Sequence, residues 1–239
     1  MKIAHPHYPL KSYYNPVVPL VIYQTWHTKT LPRLMHNSIV LLKQNNPRFT
    51  HHLFDDTDCR EFIKNNFAND VLHAYDSLIP GAYKADLWRY CILYKNGGIY
   101  LDIKYRHVNN FKLISITEQE HFVLDADNAG IYNALLVCRQ GNEKLLMAIR
   151  KIVENVNTKF YGSSCLEPTG PLLLAKFFNS SEKNAFKMQH KFYGHFNNRF
   201  IIFNNYFIFK SYKGYLEEHN RFKKQDHYGK LWGERNIYI

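Results

Sequence analysis

Apolar residues recur along the chain in two patterns, one typical of helices and one typical of short buried strands. Residues 35–44 and 143–156 place apolar side chains three and four positions apart, which predicts helices with one buried side. Four shorter apolar runs predict strands: 20–26, 49–54, 122–124 and 134–138. Because strands and helices alternate, the pattern predicts an α/β fold with a mostly parallel central sheet flanked by helices.

The most informative segment is residues 81–105, which predicts a helix, a glycine stop and a strand that ends in an acidic residue. Asp86 and Arg89 share one face of the helix, apart from its apolar residues, so one face is expected to pack and the other to hold a ligand. The glycines at 97–98 tolerate the positive φ found just past a helix end. Asp102 then follows strand 99–101, and ligands bind outside such strand ends in open α/β sheets.

Each of these residues taken singly has a simpler explanation. Asp86 and Arg89 could form an ordinary ion pair on a solvated helix face, and Asp102 could be a turn residue. Their combination with two glycines and a strand within 25 residues favours a ligand site.

The rest of the chain adds a hairpin, a further helix and an extended arm. Residues 200–212 alternate around Asn204-Asn205, which predicts a C-terminal β-hairpin. The sequence Thr169-Gly170-Pro171 predicts a helix start, because proline suits the first helical turn. Residues 1–18 contain three prolines and no periodicity, which indicates an extended arm. Since no repeat or low-complexity linker divides the chain, residues 1–239 are expected to form a single domain.

The composition excludes a disordered chain, and the net charge favours some classes of binding partner over others. Of the 239 residues, 46% are apolar and 16% aromatic, which is enough to bury a core. The formal net charge of +11 favours anionic ligands such as nucleotides, nucleic acids or acidic lipids. No nucleic-acid module motif accompanies the basic residues, so nucleic acid is the weaker choice.

Cysteine spacing and hydropathy indicate the cellular compartment in which the protein is expected. The four cysteines are widely spaced and form no CxxC pair, which argues against a zinc site and indicates reduced thiols. We find no apolar run approaching the ~18 to 20 residues that span a membrane, and no signal-peptide pattern. A soluble, cytoplasmic protein is therefore expected.

Segment 81–105 resembles the core of glycosyltransferase family 32, the DXD sugar-binding group that includes yeast-type α-mannosyltransferases. The resemblance is carried by ADLWRY at 85–90, GGIY at 97–100 and LDIK at 101–104. Residues 19–32 are similar to the opening segment of the family, and residues 226–232 to its closing segment. The resemblance implies a GT-A type nucleotide-sugar-binding fold, with residues 19–125 as the nucleotide-sugar-binding half and residues 126–239 as the acceptor-side half and closing segment.

The same resemblance implies roles for individual residues. Asp86 would bind sugar hydroxyls, Arg89 the sugar or diphosphate, Tyr100 the nucleotide, and Asp102 the ribose and a metal ion. Asp102, Asp86 and Arg89 form the implied catalytic set. Further donor-binding candidates are Gln24, Thr25, Trp26, Lys104, Asn133 and Trp232. Without the resemblance, Trp26 is better explained as a core aromatic, and for Trp232 a role as a C-terminal anchor in the core has equal weight.

One residue departs from the family pattern. The family's Asp-x-Asp holds Mn²⁺ or Mg²⁺ against the diphosphate, but here the triplet is Asp102-Ile103-Lys104. Either Asp102 still holds a metal ion, with His227 as a helper, or Lys104 pairs directly with phosphate. The first alternative is preferred, since one flexible ammonium replaces a divalent ion poorly. The second triplet, Asp125-x-Asp127, lacks the glycine and strand context and is taken as a decoy or as part of the acceptor side.

The resemblance therefore implies an enzyme of polysaccharide biosynthesis, a retaining glycosyltransferase that moves a hexose from a UDP- or GDP-sugar to a glycan hydroxyl. Its partners would be the nucleotide sugar and a glycan acceptor, without nucleic acid, and peripheral contact with a membrane stays open. Two alternatives remain: a noncatalytic nucleotide-sugar or glycan binding module, suggested by Lys104, and a basic nucleic-acid-associated protein.

Overall fold

The computed structural model describes residues 7–193 and 198–239. Within these residues, nine strands form one sheet: β1 Val21–Thr25, β2 Thr50–Phe54, β3 Gly98–Leu101, β4 Tyr105–His107, β5 His121–Leu124, β6 Ile131–Cys138, β7 Met188–Phe192, β8 Arg199–Phe203 and β9 Tyr206–Ser211. The α-helices are α1 Arg33–Asn45, α2 Asp56–Asn66, α3 Asn69–Ser77, α4 Gly81–Asn96, α5 Glu143–Asn157, α6 Pro171–Ala175, α7 Ser180–Asn184, α8 Tyr215–Phe222 and α9 Tyr228–Gly233. The predicted α/β class is confirmed.

The sheet is mixed, so the prediction of a mostly parallel sheet is wrong. Its order is β2-β1-β3-β6-β5-β7-β8-β9-β4. Strand β1 is parallel to β2 and β3, and β5 to β7, while the other neighbouring pairs are antiparallel. The physical reason is the length of the connections. Strand β6 follows β5 after only the turn at 125–130, and so short a link permits only an antiparallel partner.

Helix α4 is more deeply buried than its sequence pattern indicates. Every residue from Asp86 to Leu93 is buried, because α4 is covered by the sheet on one side and by α5 and other helices on the rest of its surface. The alternative of a solvated face on this helix is therefore wrong. Polar residues in this stretch must find their partners inside the protein.

Two glycines join α4 to β3 as predicted. Gly97 has φ 66° and ends the helix, and Gly98 has φ 108°. A Cβ atom on Gly98 would lie 2.9 Å from the Val21 carbonyl oxygen and 3.1 Å from the Tyr23 ring. Strand β3 can therefore pair closely with β1 only because position 98 has no side chain.

The predicted C-terminal hairpin is confirmed as β8 and β9. Asn204 and Asn205 form its two-residue turn, with φ of 48° and 70°, as expected where both central residues adopt positive φ. Of the predicted arm, residues 1–6 lie outside the described residues. Residues 7–18 form no helix or strand, and the amides of Val17 and Val18 both bond to the Thr117 carbonyl. The division into donor and acceptor halves stays a prediction.

The N-terminus of α1 is capped by a residue distant in sequence. Pro32 precedes the helix and provides no side-chain cap. Instead, the Glu218 carboxylate of α8 accepts hydrogen bonds from the amides of Leu34 and Met35, at 2.7 and 3.0 Å, and from the Tyr212 hydroxyl. A negative charge at this end of the helix also complements its dipole.

We expect Glu218→Ala to lower the free energy of unfolding by about 2 kcal/mol, because two helix amides lose a charged acceptor. Urea unfolding followed by circular dichroism measures this change. Glu217→Ala, one position away on an exposed side chain, is the control and should change stability little. Equal losses in the two variants would contradict the capping role.

Candidate functional site

The polar residues singled out by the sequence meet at one edge of the sheet. Gln24 and Asp102 lie at the carboxyl ends of β1 and β3, and Asn133 lies near the amino end of the antiparallel strand β6. The Asp102 amide donates to the Ala134 carbonyl at 2.8 Å, which fixes the end of β3 against β6. The sheet therefore brings together residues more than a hundred positions apart.

Asp102 is surrounded by hydrogen-bond donors and positive charge. Its Oδ1 accepts a hydrogen bond from the Tyr100 hydroxyl at 2.8 Å and lies 3.8 Å from Arg89 Nη1, and its Oδ2 bonds to the Lys104 ammonium. Burial alone would raise the pKa of Asp102, but the charges of Lys104 and Arg89 and these hydrogen bonds lower it to about 2. Asp102 is therefore ionised, and both of its oxygens are engaged.

Asp86 lies in a second buried network. Its Oδ2 accepts from Thr169 Oγ1 at 2.8 Å, its Oδ1 accepts from Asn133 Nδ2 at 3.0 Å, and Arg89 Nη1 lies 3.6 Å away. The side chains of Arg89 and Asp86 are only 8% and 11% exposed, so the alternative of a solvated surface ion pair is wrong. Burial raises the pKa of Asp86 in spite of these donors. The two carboxylates thus have pKa values shifted in opposite directions.

Arg89 links the two carboxylates. Its Nη1 donates to the Asn133 carbonyl at 2.7 Å, and its guanidinium lies over the Tyr100 ring, 4.2 Å from the ring centre. Helix α4 is thereby tied to both β3 and β6 by one side chain. An arginine suits this position, because its planar group can stack on an aromatic ring while its N–H groups donate at the edge.

Lys104 is as buried as Arg89. Its side chain is 8% exposed, and its ammonium lies between Asp102 and the rings of Tyr105 and Tyr132, at 5.3 and 5.4 Å from their centres. Burial would lower the pKa of Lys104, but the adjacent Asp102 charge raises it above its usual value. A fixed positive charge therefore stands at the position where the family has a carboxylate.

The residues present do not fit a divalent metal ion. Both oxygens of Asp102 already bond to protein donors, and the neighbouring cation would repel an ion. His227 caps α9, where its Nδ1 accepts from the Gly229 amide at 3.1 Å. In residues 7–193 and 198–239, no group of three or more His, Cys, Asp or Glu side chains could hold an ion.

The donor-binding candidates at the carboxyl end of β1 have differing environments. Gln24 is 1% exposed and donates to the Leu101 carbonyl at 3.0 Å, so it supports the end of β3 from within. Thr25 donates to the Phe54 carbonyl at 2.9 Å. Trp26 packs against the His219 ring, and its indole Nε1 is buried without a hydrogen-bond partner. Of the three, Trp26 has the group best able to receive a ligand.

Of Trp232 and Asn133, the first has its polar group already bonded within the protein, and the second has an atom without a partner. The Trp232 N–H, expected for a phosphate oxygen, already donates to the Tyr161 carbonyl at 2.7 Å, which favours its role as an anchor of the closing segment. Asn133 is 4% exposed, and its Nδ2 donates to Asp86 and to the Tyr90 hydroxyl. Its Oδ1 is buried with no partner. A buried acceptor without a donor is costly, and a ligand hydroxyl could satisfy it.

Two members of this network were not predicted as site residues. The Tyr90 hydroxyl accepts from Asn133 and donates to the Thr169 carbonyl at 3.1 Å. The sequence predicts only a helix start at Thr169, yet its hydroxyl donates to Asp86. The available signal was that Tyr90 shares the helix face of Asp86, whereas nothing in the sequence links Thr169 to a residue 83 positions earlier.

Sequence comparisons match the segment that contains Asp86, Arg89, Asp102 and Lys104 to a known family region. Residues 32–123 match the family described as "Glycosyltransferase sugar-binding region containing DXD motif". The chain is 30% identical, over 70% of its own length and 46% of the other protein, to inositol phosphoceramide mannosyltransferase 3 of Schizosaccharomyces pombe. It is 32% identical, over 36% of its length and 24% of the other, to an initiation-specific α-1,6-mannosyltransferase of Candida albicans. The chain thus spans less than half the length of these curated relatives.

Structural comparison agrees on the fold. The chain resembles the solved structure "PaToxG Glycosyltransferase" with a TM-score of 0.51 and 14% identity, over 68% of this chain and 69% of that one. The expected GT-A type fold is therefore confirmed. In the part of the chain that the structure describes, none of the helices has both the length and the apolar character needed to cross a membrane.

We expect Arg89→Met to lower the free energy of unfolding by about 3 to 5 kcal/mol, because Asp86 and Asp102 lose their shared buried cation. Chemical denaturation at neutral pH measures the loss. The control is Arg60→Met, which removes an Arg60–Asp76 pair of good geometry at the surface, with contacts of 2.8 and 2.7 Å. A surface pair contributes little, so similar losses in the two variants would contradict the role assigned to Arg89.

Proposed function

Since the chain is a relative of the DXD-containing glycosyltransferases of family 32, we propose that it transfers a hexose from a UDP- or GDP-sugar to a glycan hydroxyl, with retention of configuration. The observation that carries the proposal is the arrangement at the end of β3. There, two carboxylates, two buried cations and an unsatisfied amide oxygen converge at one sheet edge. Such a set provides partners both for sugar hydroxyls and for a diphosphate.

The sugar is proposed to bind at Asp86 and Asn133. A hydroxyl of the donor hexose can donate to Asn133 Oδ1 and remove the penalty of a buried unpaired acceptor, about 1 to 3 kcal/mol. Asp86 is held by Thr169 and Asn133, so its position does not depend on the ligand. Preorganised partners of this kind orient the anomeric carbon without further loss of entropy.

The diphosphate is proposed to bind at Lys104. A transfer of this kind must stabilise the negative charge that develops on the leaving diphosphate, and fixed charges in a buried site do so well. Lys104 is held at Asp102, where it can pair with a phosphate oxygen as the nucleotide enters. The engaged oxygens of Asp102 support this second mechanism over the metal-dependent one that the sequence favoured.

The names of the relatives suggest which donors to test first. Both sequence relatives named above are mannosyltransferases, so mannose is the first sugar to examine. The choice between uridine and guanosine stays open. A noncatalytic binding module is the second candidate, because the Lys104–Asp102 contact replaces the pair of carboxylates that the family uses.

We expect one nucleotide sugar in a panel of UDP- and GDP-hexoses to raise the melting temperature and to be hydrolysed slowly by the protein. A ligand at 100 times its dissociation constant adds about 2.7 kcal/mol of stability. Asp102→Asn should abolish hydrolysis, because the end of β3 loses its fixed negative charge.

The control for Asp102→Asn is Asp127→Asn, at the exposed end of the second triplet, which should leave hydrolysis unchanged. Binding without turnover in the unaltered protein would favour the binding module. Salt-sensitive binding of RNA or DNA, with no response to any nucleotide sugar, would contradict the proposed function altogether.

Donor turnover is expected to persist in EDTA, since Lys104 supplies the positive charge. Lys104→Met should weaken donor binding roughly 10- to 100-fold, the equivalent of about 1.5 to 3 kcal/mol for a hydrogen bond to a charged group. Lys104→Asp adds a hard oxygen ligand and should create measurable Mn²⁺ binding in calorimetry. Loss of turnover in EDTA with recovery in Mn²⁺ would instead restore the metal-dependent mechanism.

A further inference from the structure

A second polar pair lies at the same sheet edge, beyond the residues assigned above. Asp125 follows β5, and its Oδ1 lies 2.8 Å from Nδ1 of His190 in β7. His190 is 2% exposed. Asp125 begins the second Asp-x-Asp triplet, which the donor site does not use. The sequence alone does not link these residues, because they are 65 positions apart.

The hydrogen bond between them fixes the tautomer of the histidine. An ionised carboxylate can only accept hydrogen bonds, so the proton lies on Nδ1 and the lone pair lies on Nε2. Burial lowers the pKa of His190, and the Asp125 charge offsets this only in part, while Lys104 and Arg199 lower it further. The ring is therefore neutral at neutral pH, with Nε2 as an acceptor.

That acceptor has no partner. Nε2 of His190 is buried and makes no hydrogen bond. If this histidine only packed the core, no hydrogen bond would compensate for the lost hydration of Nε2. The imidazole therefore has the features of a group prepared for a donor that arrives with a ligand.

Tyr132 connects this pair to the donor site. Its ring stacks on His190, with centres 3.9 Å apart and planes at 4°, and its hydroxyl lies 2.8 Å from that of Tyr105. The ammonium of Lys104 lies 5.4 Å from the centre of the Tyr132 ring. The strand order β3-β6-β5-β7 thus places Asp102, Tyr132, Asp125 and His190 in succession along one edge.

An exposed aromatic ring adjoins the pair. Phe192 is 40% exposed and packs edge-on against His190, with ring centres 4.7 Å apart. A ring of this kind can cover the apolar C–H face of a sugar while a neighbouring polar group bonds to its hydroxyls. Polar and apolar partners for a carbohydrate therefore lie next to each other at His190 and Phe192.

We propose that His190 binds the acceptor, with Nε2 accepting a hydrogen bond from the sugar or polyol hydroxyl that receives the hexose. Asp125 is then a positioning residue that holds the imidazole in the required tautomer, and Phe192 covers the sugar ring. This assignment rests on the proposed glycosyl transfer and adds an acceptor subsite on the side of β5 and β7.

The test separates transfer from donor hydrolysis. Hydrolysis of the best nucleotide sugar from the thermal-shift panel reports the donor site, and transfer to methyl hexosides, with methyl α-mannoside first, reports the acceptor site. His190→Phe keeps the ring shape and removes both nitrogens. We expect it to lower kcat/KM for the methyl hexoside at least 10-fold, while donor hydrolysis and the donor-induced thermal shift change less than twofold.

Two further variants refine the result. Asp125→Ala removes the carboxylate that accepts the Nδ1 proton, so the imidazole is no longer fixed in one tautomer and orientation, and transfer should fall while donor hydrolysis persists. Gln189→Ala is the control, because Gln189 neighbours His190 in β7 but bonds outward to Asn128 at 2.8 Å. Should His190→Phe fail to fold, His190→Leu provides the same comparison, because it also removes both ring nitrogens and has a smaller side chain.

The outcomes are distinct. Unchanged transfer kinetics in a folded His190 variant would overturn the acceptor assignment and leave the donor site intact. If the unaltered protein hydrolyses the donor but transfers to no methyl hexoside, saturation-transfer NMR with the same sugars and the nucleoside diphosphate tests binding directly. Absence of binding there would also overturn the assignment. A protein that neither binds nor hydrolyses any nucleotide sugar would instead contradict the proposed function.

Discussion

The buried guanidinium of Arg89 is the interaction on which the rest of the site depends. It lies between Asp86 and Asp102, stacks on Tyr100 and bonds to the backbone of β6. Two carboxylates with so little exposure are tolerated only because a cation and several donors compensate for their lost hydration. This one side chain therefore fixes α4, β3 and β6 relative to one another, and the position of each carboxylate follows from it.

Lys104 changes the electrostatics of this arrangement relative to the family pattern. With a second carboxylate, the end of β3 would need an added cation, whereas here Lys104 and Asp102 neutralise each other without one. The nucleotide proposed to enter this site would meet a charge already held in place. The match of residues 32–123 to the family is compatible with a different means of charge neutralisation, because that match extends over the whole segment and does not depend on position 104 alone.

The mixed sheet explains how the two proposed subsites come to share one edge. Strand β6 runs opposite to β3 and β5, so its amino end meets their carboxyl ends, and side chains on its opposite faces serve different partners. Asn133 faces Asp86 and α4, while its neighbour Tyr132 stacks on His190 on the other face. Two adjacent residues of one strand therefore connect the proposed donor and acceptor sides.

The sequence by itself determined the local features of this protein: the helix that ends at Gly97, the hairpin turn at Asn204-Asn205 and the family motif around Asp102. Each depends on residues close together in the chain, so it can be predicted without knowledge of the fold. Only the tertiary structure decided that Asp86 is buried, that the Trp232 N–H is already used and that the sheet is mixed. Those outcomes depend on which distant segments pack together, and periodicity carries no information about partners such as Thr169 for Asp86, or His190 for Asp125.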